Sequence, residues 1–436
     1  MNSGKSSPQS RSPVCSSPPK YAEMELQHLE RIPPPKHPVK VLLLENVHQT
    51  GVLLFEKEGF QVELLKTSLT EEELMEKIRD VHVIGIRSKT KVTKRVLENA
   101  SKLLAIGCFC IGTDQVDLEA AERLGIPVFN SPFANTRSVA ELIIAEIVCL
   151  SRKLFDVSKG CHEGQWLKSA VGCHEIRGKT LGIVGYGHIG SQLSVLAESQ
   201  GMNVIFYDII PVLPLGNSTP CKSLEEVLSN ADFVTLHVPK SPQTENMIGQ
   251  QQIKLMKKGA YLLNASRGTV VDLQALADSL RSGHLGGAAI DVYPKEPKAN
   301  GSGFETPLQH CPNTILTPHI GGSTEEAQQM IGEEVATALI KLVRSGSTVN
   351  AVNFPNLEVP FTSSSHRILN VHRNVPGVLR DINDIFASRD TNVKAQVLGT
   401  TADIGYLIVD VDKETSEEVK EAIASLKPSL RTRILY

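Results

Sequence analysis

From Val39 onward, short apolar runs alternate with amphipathic stretches: VKVLLLENVH is followed by QVELL, VHVIGIRS, LLAIGCF and IPVFN. Such runs, bounded by turn residues, mark buried strands, and the segments between them carry apolar residues at helical spacing. Thr70 to Ile78 is one predicted helix, with Thr70 and Glu73 at capping-box spacing, and Thr93 to Ala100 is another. Strand and helix in strict alternation predict a parallel α/β unit whose strands are covered on both faces.

A long helical pattern then occupies Asn135 to Phe155, and a second strand and helix series opens at Lys179 with KTLGIVGYGHIG. Its apolar runs are NVIFYD, DFVTLHV, AYLLNAS, GAAIDVY and TILTPH, separated by helix-length segments such as SLEEVLSNA and DLQALADSLRSG. This pattern predicts a larger doubly wound sheet. Another helix is predicted from Ser323 to Val343, followed by a linker, NFPNLEVPFTSSSH. The last part of the chain changes rhythm. Strands ILNVH, NVKAQVLG, YLIVDV and RTRILY are interrupted by helices VPGVLRDINDIFASR and SEEVKEAIASL, the βαββαβ order of a ferredoxin-like module.

The length of 436 residues supports two or three domains. With 41% hydrophobic residues and 21% charged, the composition is that of a globular chain, and a net charge of −3 supplies no basic field for nucleic acid. The eight cysteines are dispersed, which fits reduced thiols in a cytoplasmic protein, and Cys108-Phe-Cys110 lacks the second ligand pair of a metal site. Residues 1 to 37, rich in Ser, Pro, Lys and Gln, read as a disordered tail with a short helical stretch near Tyr21 to Arg31. No signal peptide and no membrane span are expected.

Gly185-Tyr-Gly187-His188-Ile189-Gly190 directly follows the strand Thr180 to Val184 and opens a helix, the context that gives a GxGxxG motif its meaning. Gly185 permits the tight turn, Gly187 lets a diphosphate approach the backbone, and Gly190 lets helix pack on strand. The diphosphate then meets the positive end of the helix. Asp208 ends the next strand, where its carboxylate can accept the ribose hydroxyls and would repel a 2′-phosphate. NAD is therefore expected rather than NADP.

Three later strands end in chemically capable residues, in Asn264-Ala-Ser-Arg267, Asp291-Val-Tyr-Pro-Lys-Glu296 and Thr317-Pro-His319. Strand carboxyl ends line the ligand crevice of a doubly wound sheet. Hydride transfer from a 2-hydroxy acid requires a base for the hydroxyl proton, a cation for the carboxylate and a group that orients the base. His319 suits the first task, Arg267 the second and Glu296 the third. His188 sits in the glycine turn, while His82, inside an apolar run, reads as a satisfied buried residue.

Taken together, GYGHIG, Asp208, NASRGTVVD, DVYPKEP and TPHIGGST resemble the D-isomer-specific 2-hydroxy acid dehydrogenase family, with Arg267, Glu296 and His319 at its catalytic positions. VHVIGIRSKT, AIGCFCIGTDQVDL, FNSPFANTRSVAE and the closing VNFP are similar to the bacterial type of the branch that oxidises 3-phosphoglycerate to 3-phosphohydroxypyruvate. The resemblance implies a Rossmann-type domain over residues 135–321, inserted in a flavodoxin-like substrate domain formed by 38–134 and 322–358. A linker at 359–366 and an ACT module at 367–436 follow. It also implies NAD contacts from Gly185, Gly187, His188, Ile189, Gly190, Asp208, Ala265, Ser266, Arg267, Asp291, His319, Ile320, Gly321 and Gly322. Arg87, Ser88, Asn135, Arg267 and His319 would line the substrate pocket, and Arg87 suits a phosphate.

In the ACT module, His372, Asn374 and Asn392 match positions where relatives bind L-serine, the end product of their pathway. Val375 and the glycine-free TSSS at 362 to 365 depart from the bacterial pattern. A homotetramer joined through nucleotide-domain and ACT interfaces is implied, as is a side reaction on 2-oxoglutarate. Other members acting on unphosphorylated acids, and corepressors that share the fold and the NAD site, are the alternatives. The corepressors lack the C-terminal module.

Overall fold

In the parallel sheets most of the apolar runs become strands buried on both faces, between helices on either side. The computed structural model describes residues 37–436 apart from 298–299 and 361–363, together with Ala22, Glu25, Leu26 and Pro35. The expected tail at 1 to 37 therefore lies almost wholly outside the described residues, as do two positions of TSSS. The chain divides into two compact units, Met1–Ser131 with Gly332–Tyr436, and Pro132–Ile331.

The first unit begins with a parallel sheet of β1 (Lys40–Leu43), β2 (Gln61–Leu64), β3 (Val83–Ile86), β4 (Ala105–Cys108) and β5 (Val128–Phe129) in the order β2-β1-β3-β4-β5. That is the flavodoxin order. Every residue of β3 and β4 is buried. Thr70 and Glu73 form the expected capping box, Thr70 N–H donating to the Glu73 carboxylate at 2.8 Å and Glu73 N–H to the Thr70 hydroxyl at 3.3 Å.

In the second unit the long pattern at 135 to 155 is broken. Helix α1 (Thr136–Arg152) stops at Lys153, whose left-handed backbone (φ 50°) turns the chain before another helix, Leu154–His162. Seven parallel strands then form the larger sheet: β6 (Thr180–Val184), β7 (Asn203–Tyr207), β8 (Thr219–Pro220), β9 (Phe233–Leu236), β10 (Tyr261–Asn264), β11 (Gly287–Ile290) and β12 (Thr314–Leu316). Their order, β12-β11-β10-β9-β6-β7-β8, reverses at β6 and β9, where a doubly wound sheet leaves its ligand crevice. The glycine turn lies between β6 and helix α2 (His188–Ser199).

Helix α3 (Glu325–Ser345) precedes the C-terminal module, an antiparallel sheet of β13 (His366–Arg373), β14 (Val393–Thr400), β15 (Ile404–Val411) and β16 (Ser429–Leu435) in the order β14-β15-β13-β16. Helices α4 (Val378–Ser388) and α5 (Ser416–Ala424) bury Ile382, Phe386, Val419 and Ile423 against it. This is the ferredoxin-like arrangement. One ion pair sits inside it, fully buried. Arg367 binds both oxygens of Asp410 at 2.7 and 2.8 Å, and its remaining N–H groups reach the carbonyls of Ser345, Val359 and Pro360 at 2.8 to 3.0 Å. A buried charge is tolerable when its donors are spent in this way. The guanidinium thus fastens the end of α3 and the start of the linker to the module.

Among the described residues no helix is long and apolar enough to cross a membrane, and no group of three or more His, Cys, Asp or Glu could hold a metal ion.

Candidate active site

Three strand ends of the second unit converge on His319. Its Nδ1 donates to Glu296 Oε2 at 2.9 Å, while Oε1 of the same carboxylate accepts the Tyr293 N–H at 3.1 Å. The glutamate is therefore held at one oxygen and holds the imidazole with the other, which aims Nε2 away from it. The hydrogen bond and charge of Glu296 raise the proton affinity of His319 above its ordinary value, against the opposing effect of burial. Burial works to raise Glu296, but the bonds from His319 and Tyr293 and the nearby Arg267 outweigh it and hold the carboxyl below its usual range.

His319 has a left-handed backbone (φ 56°), a conformation costing roughly 1–2 kcal/mol for a residue with a Cβ. Asp291, 1% exposed at the end of β11, supplies the compensation. Its Oδ1 accepts from the Thr317 hydroxyl (2.6 Å) and Ile320 N–H (2.8 Å), its Oδ2 from Gly321 N–H (2.8 Å), and its carbonyl from His319 N–H (2.8 Å). The residue predicted as a cofactor contact thus spends three acceptor positions folding the histidine loop.

Arg267 follows β10 in a turn pinned by Asn264, whose Oδ1 accepts from Ser266 N–H (3.0 Å) and hydroxyl (2.7 Å) and whose amide donates to the Arg267 carbonyl (3.1 Å). Directly after it, a Cβ on Gly268 would fall 1.9 Å from the Tyr293 carbonyl carbon. Only glycine lets the arginine turn lie against the segment that leads to Glu296. The NASRG run shows both residues, but neither the pinning role of Asn264 nor the close approach at Gly268 is legible in it. Asn135 is buried beside Gly322, where its Oδ1 has no protein partner.

The glycine turn fits a dinucleotide. Gly185 (φ 91°) lies so close to the His237 carbonyl that a Cβ would approach it to 2.3 Å, and the space beside Gly187 is open. Asp208 accepts the Tyr186 N–H at Oδ2 (2.7 Å) and the Ile210 N–H at Oδ1 (3.1 Å), so it is fixed in place with lone pairs left for ribose hydroxyls. His188 is exposed, its ring 3.9 Å from that of Phe133, and Ile189 is half-buried behind it. Ala265, Ser266, Ile320, Gly321 and Gly322 all lie on the two loops that carry Arg267 and His319.

Arg87 and Ser88 belong to the first unit, on the loop after β3. A residue absent from the predicted set organises that loop. Glu45, 8% exposed, accepts the N–H groups of Arg87 (3.3 Å), Lys89 (3.0 Å) and Thr90 (2.8 Å), and the Gln115 amide donates to the Arg87 carbonyl at 2.8 Å. An acid directly after the apolar run of a parallel strand was the available signal.

The predicted effector residues separate in the C-terminal module. His372 is buried, its ring against Gly405 and its Nδ1 3.0 Å from Asn370 Oδ1. Asn374 and Asn392 are exposed, and Asn374 donates to the Thr401 carbonyl at 2.8 Å.

Residues 144–321 match the D-isomer specific 2-hydroxyacid dehydrogenase NAD binding domain, and residues 368–429 match an AHAS small subunit-like ACT domain. The chain is 60% identical over 402 residues to a D-3-phosphoglycerate dehydrogenase of Dictyostelium discoideum, covering 92% of this chain and 98% of that one. It is 51% identical over 404 residues to that of Escherichia coli K12, again covering 92% and 98%. Among solved structures, a D-lactate dehydrogenase from Aquifex aeolicus complexed with NAD and lactic acid is 27% identical. It has a TM-score of 0.63 and covers 72% of this chain and all of that one. Fold, dinucleotide turn and acid-held histidine agree with these likenesses: the chain belongs to the D-isomer-specific 2-hydroxyacid dehydrogenases, in their D-3-phosphoglycerate dehydrogenase branch.

Proposed function

We propose that the chain oxidises 3-phospho-D-glycerate to 3-phosphooxypyruvate, reversibly and with NAD, as the first step of phosphorylated L-serine synthesis. The observation that carries this reading is the His319–Glu296 pair at 2.9 Å, on a loop held by Asp291. NAD, when bound along the glycine turn, supplies the acceptor for the hydride that leaves the substrate's C2 carbon. His319 Nε2 takes the hydroxyl proton, and Glu296 stabilises the imidazolium so formed. Arg267 binds the substrate carboxylate and draws electron density from the forming carbonyl. Gly185 to Gly190 would hold the diphosphate and Asp208 the ribose, and Ala265, Ser266, Asp291, Ile320, Gly321 and Gly322 would supply further contacts to the cofactor.

For the phosphate we propose Arg87 and Ser88, with Asn135 completing the pocket. The loop that presents Arg87 gives three of its backbone N–H groups to Glu45, so its side chains are left to bind the ligand. The test is NADH oxidation with 3-phosphohydroxypyruvate against hydroxypyruvate, pyruvate and 2-oxoglutarate. The phosphorylated acid is expected to lead, with 2-oxoglutarate a slow side substrate, and preference for an unphosphorylated acid would overturn the assignment.

We further propose L-serine as an inhibitory effector at Asn374, Asn392 and His372, in a cytoplasmic homotetramer. The ACT match and the polar side chains of Asn374 and Asn392 at the module's surface support the effector reading. The exposed Trp166, Leu167 and Val171 support an oligomer through the nucleotide unit. Asn374→Ala should weaken serine inhibition while sparing turnover, and unchanged inhibition removes that residue from the site.

A further inference from the structure

The residue between the first two glycines of the turn is itself built into the fold. Tyr186 is buried, its ring stacked on Phe206 of β7 at a centroid distance of 3.7 Å. A phenol hydroxyl taken out of water needs hydrogen-bond partners, and this one has three. Its Oη lies 2.6 Å from the Ser194 hydroxyl and 2.7 Å from that of Ser218, and it accepts the Leu215 N–H at 3.2 Å. That set can engage the hydroxyl's one hydrogen and both its lone pairs at once. Ser194 and Ser218 are buried too, so the network lies inside the protein.

The partners come from two elements. Ser194 stands on α2, whereas Leu215 and Ser218 belong to the segment 209–218 between β7 and β8. Ser218 also donates to the Leu215 carbonyl at 2.7 Å, and Glu198 of α2 accepts the Asn217 N–H at 2.9 and 3.1 Å. The far end of the segment is thus fastened to the helix that the glycine turn opens. Its near end is fastened by Asp208, which accepts the Ile210 N–H at 3.1 Å and the N–H of Tyr186 itself at 2.7 Å. Between the two fastenings Ile209 and Leu213 are 88 and 89% exposed, and Ile210 is 61% exposed. Apolar side chains left in water on a segment held at both ends, beside a ligand crevice, suit the face of a flat, weakly polar ring.

We propose that Tyr186 is a positioning residue for the adenosine half of NAD. Its hydroxyl fixes the segment 209–218, so that the apolar side chains next to Asp208 are ready for the adenine ring, while its N–H fixes the carboxylate that takes the ribose. Its role therefore lies in cofactor affinity and not in the chemical step. The proposal rests on the ribose role of Asp208.

The experiment is titration of the full-length protein with NADH and with ADP-ribose, which carries the adenosine and diphosphate but no nicotinamide. Tyr186→Phe removes the hydroxyl and keeps the ring and the N–H. Kd for both ligands should rise about tenfold, with kcat at saturating NADH held within about a factor of two. Reduced nicotinamide mononucleotide, which has no adenosine, should be used by the variant as by the parent. Ser218→Ala should weaken both ligands as well, and added to Tyr186→Phe it should cost little more, because the two act through one contact. Should Tyr186→Phe fail to fold, Ser218→Ala leaves the ring on Phe206 in place and carries the same test. ADP-ribose affinity unchanged in these variants, or an equal loss in the use of the mononucleotide, overturns the proposal. Asp208→Ala, measured alongside, is expected to weaken both ligands; if it alone leaves them unchanged, the ribose reading fails instead.

Discussion

Glu45 and Asp291 solve one problem in opposite ways. Each is a buried acid at the carboxyl end of a parallel strand, and each gathers three donors from a functional loop. Around Asp291 the left-handed residue is the proposed proton acceptor, His319 (φ 56°). Around Glu45 it is the holder, Glu45 itself (φ 64°), with Asn46 (φ 56°), while Arg87 and Ser88 lie in ordinary backbone. Where a proton must be moved, the strained conformation lies at the group that moves it, because the imidazole has to be aimed. Where a charge must only be presented, the strain stays in the support. The difference predicts that loss of Asp291 harms the chemical step, and that loss of Glu45 harms binding.

The most severe break is His319→Gln, which removes the proposed proton acceptor while leaving the glycine turn intact. Turnover should fall on the order of 10²–10⁴-fold with NADH affinity retained. Equal loss of both would mean that His319 serves the cofactor rather than the proton. Asp291→Ala should cost about 10²-fold in turnover, since the loop loses three hydrogen bonds and the imidazole its aim. Added to His319→Gln it should cost little more, because it acts through that residue. A larger loss of NADH affinity than of turnover would make Asp291 chiefly a cofactor ligand.

Glu296→Gln sharpens the same arm through pH. Oxidation needs the neutral imidazole, so its rate climbs as pH rises through the proton affinity of His319, which Glu296 lifts above the ordinary 6.5. Without the carboxylate, the acidic limb of kcat/KM for oxidation should move to lower pH. The alkaline limb for reduction, which needs the protonated imidazole, should move the same way. An unmoved limb would detach Glu296 from the histidine.

Most of the nucleotide arm was legible because its signals are local. A strand, a glycine turn and a helix are contiguous in KTLGIVGYGHIG, and Asp208 ends the very next strand. That Arg267, Glu296 and His319 would lie near one another could be read because parallel strands deliver their carboxyl ends to one edge. What escaped was support that acts across long separations. Glu45 and Gln115 reach the Arg87 loop from elsewhere in the chain; the acid after the apolar strand is visible in LLLENVH, but its destination, like that of Gln115 in DQVD, is not. The break at Lys153 escaped for a different reason. Apolar periodicity continues through it, and a lysine carries no turn signal, so only the backbone dihedral reveals it.

The mildest test addresses the other arm. Glu45→Ala withdraws the acceptor from three backbone N–H groups, so the Arg87 loop should loosen without touching His319. KM for 3-phosphohydroxypyruvate should rise about tenfold, the equivalent of 1.4 kcal/mol, with kcat held within about a factor of two. KM for hydroxypyruvate, which has no phosphate to place, should barely move. Glu45→Gln keeps an acceptor oxygen and should recover part of the loss. If both substrates suffer alike, Glu45 supports the fold of its unit and not phosphate recognition. If neither does, the loop holds its shape through Gln115 alone.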